Sequence, residues 1–159
     1  MTKRTSIRNA IVDSLKQELS PKNSNIYYTD IDMNVTGDNL QLADVESFPA
    51  ITVTLGPETL EYQPGGFRWV ILTLYIRAYV KSEDVADEKL ELLLQDIKTF
   101  IDTNEDIEYT IITPDGQSKT LKATEMTIQS LTTDEGLLRP MGLGEVSIRV
   151  RYQERHTLF

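Results

Sequence analysis

The chain has 159 residues, with 40% hydrophobic and 26% charged side chains, a composition that belongs to a globular protein rather than a disordered one. A length of this order fits one domain spanning 1–159, and buries enough surface for one core without staples. The formal net charge of −9 argues against a general binder of nucleic acid or anionic membrane, and the absence of cysteine excludes disulfides, thiol nucleophiles and zinc–thiolate sites.

The first element reads as an amphipathic helix from Ser6 to about Leu19, because Ile7, Ile11, Leu15 and Leu19 recur every four residues. Thr5 or Ser6 is the expected cap, and Ser20-Pro21 the stop, since a residue before proline is pushed out of the helical region. No apolar h-region follows Lys3 and Arg4, and no apolar run approaches the ~20 residues of a membrane span, so a soluble intracellular product is expected. Residues 26–35 read as weakly extended, through the alternation of Ile31, Met33 and Val35 with Asp32 and Asn34. The stretch 25–57 carries five acidic residues and no basic one, and is expected to be partly ordered and solvated.

Ile51, Val53 and Leu55 alternate with Thr52 and Thr54, the pattern of a half-buried strand, which Gly56-Pro57 should break or bend. Glu58–Tyr62 continues as an extended arm into the hairpin turn Gln63-Pro64-Gly65-Gly66. A long strand over Phe67–Val80 places Val70, Leu72, Leu74, Ile76, Ala78 and Val80 on a core face. Its other face, with Trp69, Ile71, Tyr75 and Tyr79, is too aromatic for plain solvent. A second helix is predicted over Ser82–Ile101, capped by Ser82, with Leu90, Leu93, Leu94, Ile97 and Phe100 inward and Glu83, Asp87, Glu88, Glu91 and Asp96 outward. Strands follow at Ile107–Thr113, Leu121–Leu131 and Val146–Tyr152, with a loop at Thr132–Leu143 and a loose tail at Glu154–Phe159. The order helix, strands, helix, strands predicts an α+β fold: a mainly antiparallel sheet with two helices packed on one face.

The chain carries few residue patterns with a chemistry of their own. Asp30, Asp32 and Asn34 begin a calcium loop, but its sixth position is Val35 and its twelfth Gln41. Asp102, Asn104 and Asp106 fail in the same way at Ile107 and Thr113. Gly142-Leu143-Gly144 precedes a strand instead of opening a helix, so it reads as a flexible lead-in and not as a phosphate loop. His156, the one histidine, sits in the tail without a group to orient it. No catalytic residue, metal or cofactor is expected. The charge distribution says more: residues 81–110 carry net −7 and residues 1–24 net +3. Separated signs favour head-to-tail association of copies. The Glu58–Arg68 hairpin and the Thr132–Leu143 loop, rich in glycine and proline, are the expected subunit contacts, through Glu61, Tyr62, Gln63, Pro64, Phe67, Arg68, Leu137 and Arg139.

The chain resembles the tail terminator (tail-to-head joining) proteins of long-tailed bacteriophages, in the form found in T-five-type siphophages. The residues that carry the likeness are Thr5-Ser6-Ile7-Arg8-Asn9-Ala10-Ile11, Phe48-Pro49-Ala50-Ile51-Thr52-Val53 and Leu74-Tyr75-Ile76-Arg77-Ala78-Tyr79-Val80-Lys81. The helix Ala86–Ile101 and the strand Gly144-Glu145-Val146-Ser147-Ile148-Arg149-Val150-Arg151-Tyr152 complete it. The resemblance implies a structural virion protein without catalysis. A homo-hexameric ring would cap the tail tube, end polymerisation of the tube protein and dock head-completion or neck proteins. It would be assembled in the host cytoplasm, away from membranes, and DNA would pass through without specific binding. Glu83, Asp87, Glu88 and Glu91 would then face either the lumen or the outside. Two alternatives stay open: another neck or head-completion ring protein, and a small ligand-binding protein.

Overall fold

The computed structural model describes residues 2–155. Helix α1 spans Lys3–Glu18, opening earlier than its apolar spacing indicates, because Thr2 and not Thr5 or Ser6 is the cap: its hydroxyl accepts from Thr5 N at 3.3 Å. Ile7, Ile11, Val12 and Leu15 are buried, as the spacing requires.

The next segment departs from the expected strand. Only Val35–Thr36 is extended (β1), because the chain turns at Ile31–Asn34, where Asn34 N donates to Ile31 O at 3.0 Å and Asp32 and Met33 have φ of 51° and 62°. Nor is the stretch simply solvated, since Tyr27, Ile31 and Val35 lie in the core. β1 runs parallel to β2, Ala50–Gln63, with Val35 opposite Ile51.

β2 pairs antiparallel with β3, Phe67–Lys81, and its register slips between Leu55 and Glu58, at the expected Gly56-Pro57 break. Helix α2 covers Ala86–Thr103 and so begins later than Ser82. Ser82 is still tied to the sheet end, its N–H donating to Pro140 O at 2.9 Å, while its hydroxyl accepts from Val85 N at 3.2 Å. Glu83 therefore lies in a turn before the helix and not in its first turn. β4, Glu108–Ile112, and β5, Ser118–Lys122, form a separate hairpin. β6, Glu125–Thr133, pairs with β7, Met141–Arg155. The loop between them shrinks to 134–140, and Gly142-Leu143-Gly144 is strand, not a flexible lead-in. Glu154 and Arg155 are strand as well, opposite Arg68 and Phe67. His156 and the rest of the tail lie outside the described residues.

The five-stranded sheet has the order β1-β2-β3-β7-β6, antiparallel except for β1 with β2. α1, α2 and the β4–β5 hairpin contribute to one core with Val53, Leu72, Leu74, Ile76, Val146, Ile148 and Val150, all fully buried on one sheet face. α2 sits so close to β7 that a Cβ on Gly144 would meet Leu94 Cδ2 at 2.9 Å. Glycine there serves close packing.

The other sheet face is only half-covered. Residues 37–44 cross one end of it, anchored by Tyr79 OH to Leu40 O at 2.9 Å and Arg77 Nη1 to Asn39 Oδ1 at 3.1 Å. Farther along, the Arg151 guanidinium stacks 4.3 Å from the Trp69 ring centroid and Phe67 meets Trp69 edge-on at 6.0 Å. Tyr75 and Ile71 between them stay half-exposed, a face whose aromatic content is covered mainly by its own arginine and not by a second layer.

Candidate assembly surfaces

The hairpin residues come together at one end of β3. Tyr62 is 63% exposed and sits opposite Arg68, whose guanidinium lies 5.5 Å from the Tyr62 ring centroid and donates to its hydroxyl at 3.1 Å. Arg68 Nε also donates to Glu154 Oε1 at 2.7 Å, so β2, β3 and β7 are laced side by side up to the turn. Glu61 and Pro64 are exposed, while Gln63 and Phe67 face each other half-buried in the last pair. The arm is therefore a continuation of the main sheet and not a free appendage.

Leu137 and Arg139 stand at the opposite end. β3 runs the 15 residues Phe67–Lys81, roughly 45 Å at ~3.3 Å per residue, and the 134–140 loop returns beside Lys81. The folded chain does not bring the two predicted contact regions together. What it does join is the loop with the acidic helix: Arg139 pairs with Asp87 across exposed surface. Such a pair contributes ~0–1 kcal/mol to stability. Glu83, Asp87, Glu88 and Glu91 are all exposed.

Asp96 is a correction. It is 1% exposed, not on the outer face, and its two carboxylate oxygens accept from Tyr28 N at 2.9 Å and Thr29 N at 2.8 Å. Burial pushes its carboxyl above the usual range, partly opposed by those two N–H donors. The signal was present in the spacing: position 96 lies three after Leu93 and four before Phe100, on the buried stripe.

Near the β2 bulge, Arg4 Nη2 donates to Gly56 O at 2.7 Å and Arg4 Nε lies 3.6 Å from Glu58 Oε2, which also accepts from the Tyr152 hydroxyl at 3.3 Å. Tyr152 meets Tyr109 edge-on at 6.4 Å. Burial pushes the Tyr109 phenol up to about 12 and the Tyr152 phenol higher still, with Glu58 adding to the latter. Both phenols stay neutral at ordinary pH and bind α1 and the β4–β5 hairpin to the sheet.

A cavity of about 330 Å³ opens between α2, the segment at Tyr28–Asp30 and the start of β2. Sequence reasoning missed it, because its walls come from four separate stretches of chain. Among the described residues, no helix is long and apolar enough to cross a membrane.

The hairpin tip and the 134–140 loop thus lie at opposite ends of β3. The family model described as bacteriophage tail tube terminator protein matches residues 1–159. The tail tube terminator protein of Escherichia phage T5 is 40% identical over 153 residues, which cover 96% of this chain and 95% of that protein. The chain belongs to the bacteriophage tail tube terminator family.

Proposed function

We propose that this chain caps the finished phage tail tube as a hexameric ring, ending polymerisation of the tube protein and presenting a docking face to head-completion or neck proteins. The observation that carries this reading is the family match from the first residue to the last, joined by a relative of nearly equal length. The role is structural: the ring is a virion component, works without catalysis or cofactor, and is assembled in the host cytoplasm. DNA passes through its lumen without specific binding, a passage favoured by net negative charge on the subunit.

Subunits meet side by side. The hairpin residues Glu61, Tyr62, Gln63, Pro64, Phe67 and Arg68 supply one contact region, and Leu137 and Arg139 supply the other. The exposure of Tyr62 and Leu137, at 63% and 86%, supports this, since large apolar side chains at the two far ends of one strand have little to bury within the subunit. The acidic row Glu83, Asp87, Glu88 and Glu91 faces either lumen or exterior.

The test is to add the purified chain to polymerising tail tube protein and to filled heads, and to follow both by electron microscopy. Tubes of limited length with a ring at one end are expected. Unlimited tube growth with no end-bound ring would remove the tube-capping reading, and binding to heads alone would assign the chain to the neck.

A further inference from the structure

We infer that the cavity beside the start of β2 receives the Leu137 turn of a second copy of this chain. The inference rests on the reading that copies assemble side by side, and it names the surface that receives one of their two contact regions.

The knob is built into the β6–β7 loop. Leu137 N donates to Asp134 O at 3.1 Å, which closes a turn over 134–137. Its two central residues, Glu135 and Gly136, have φ of 55° and 81°, the left-handed values of a primed turn. Glutamate at such a φ is unfavourable and must be held there. Asp134 does so: its carboxylate accepts from Leu138 N at 3.0 Å and Leu143 N at 3.2 Å, tying both sides of the loop to one side chain. Arg139 adds its pair with Asp87 on α2. The result is a fixed turn that holds Leu137 at 86% exposure, above every other exposed large hydrophobic residue among those described. A side chain presented on a preformed turn loses little conformational entropy on docking.

The cavity has matching chemistry. Phe48, Pro49, Val80 and Leu93 line it, while Tyr28 and Leu92, 71% and 41% exposed, flank its mouth. Lys81 and Lys89 also line it, both exposed, in a chain of net −9. Asp30 is the one carboxylate there, and its oxygen already accepts from Asp32 N at 2.9 Å. An apolar hollow with a cationic margin suits an apolar residue that has a carboxylate beside it. Leu137, two residues after exposed Glu135, is such a residue.

Along β3, Ala50 of β2 pairs with Tyr79 on one side and Met141 of β7 pairs with Lys81 on the other. Cavity and knob thus flank the same end of β3 on opposite sides. Leu137 is not among the residues that line the cavity of its own chain and stays 86% exposed, which leaves both free for the next copy. Two different patches meeting in this way make a heterologous contact, which repeats head to tail and closes into a ring when the rotation allows.

The natural absence of cysteine makes the test direct. A chain carrying both Leu137→Cys and Leu92→Cys is oxidised at a concentration where the wild type sediments as oligomers, alone or on tail tubes. A ladder of disulfide-linked multimers is expected from the double variant and none from either single variant. Independently, Glu135→Lys weakens self-association about tenfold, and adding Lys81→Glu with Lys89→Glu restores it; circular dichroism confirms that each variant folds. Oligomers that persist without a ladder, or a charge exchange that rescues nothing, overturn the cavity contact and leave side-by-side assembly standing. A wild type that stays monomeric both alone and on tubes overturns the assembly reading, and this contact with it.

Discussion

The hairpin turn that opens β3 and the β6–β7 turn beside its far end both carry successive left-handed residues, yet they are held by different means. At the hairpin, Gly65 and Gly66 take φ of 96° and 82°, and a Cβ on either would meet nothing within 4 Å. The turn there needs backbone freedom and nothing else. At the far end, Glu135 occupies the first left-handed position and Asp134 holds it with two backbone N–H bonds. One tip is permitted by glycine, and the other is imposed by hydrogen bonding. The hairpin presents a laced strand end with Tyr62 and Arg68; the loop presents one leucine at a fixed angle. A contact that relies on an extended strand end tolerates adjustment, whereas a knob has to arrive in the right place.

The largest expected effect breaks the hairpin end outright. Deleting Glu61–Gly66 removes the turn and the Tyr62–Arg68 contacts but none of the fully buried core. The shortened chain should fold and remain monomeric by sedimentation, and unchanged ring assembly would show that this end is not a contact. At the far end, Asp134→Ala orphans two N–H groups, so urea unfolding should show a loss of about 2–3 kcal/mol. Limited proteolysis should cut first within 134–140, because the tie that fixes the turn is gone.

Asp96 acts at the same end, where it pins Tyr28 and Thr29, which line the cavity. Asp96→Asn keeps one acceptor and turns an amide N–H toward a backbone N–H, for an expected loss of about 1–3 kcal/mol at neutral pH. The pH profile should change as well. The folded carboxyl titrates above its unfolded value, so its contribution is fully present below the unfolded value and is lost as pH rises through the folded one. The asparagine variant should lack that decline, and an identical acid-range profile would contradict it. Smaller still, Glu135→Gly should raise stability by about 0.5–1 kcal/mol, because glycine carries no left-handed penalty.

The smallest effect on folding belongs to the acidic row. Changing Glu83, Glu88 and Glu91 to lysine, with Asp87 left in its pair with Arg139, alters exposed sites, typically by about ±0.5 kcal/mol each. The variant should still cap tails. If the row faces the lumen, DNA ejection should slow, more so at low salt, where screening is weak. Normal ejection at low salt would place the row outside the channel.

Sequence alone determined the elements with strong periodicity. The four-residue recurrence of Ile7, Ile11 and Leu15, the alternation along Val70–Val80 and the Gly65-Gly66 turn each encode their structure within a few neighbours, because helices and strands have fixed side-chain periods. The sheet-and-helix layering followed from the same patterns, and so did the stripe that buries Phe100 and Ile97. What the tertiary structure decided is where one segment meets a distant one. Ser82 spends its hydroxyl on Val85 N, in a turn ahead of α2, because its own N–H is tied to the distant Pro140 carbonyl and keeps it at the sheet end. Residues 26–34 could not run as a strand because Asp96, some 67 residues away, holds the backbone at Tyr28 and Thr29 in another path. The cavity and the Leu137 knob belong to the same class. A hydrogen bond or a hollow between segments far apart in the chain leaves no local period in either of them, so only the folded chain brings it into view.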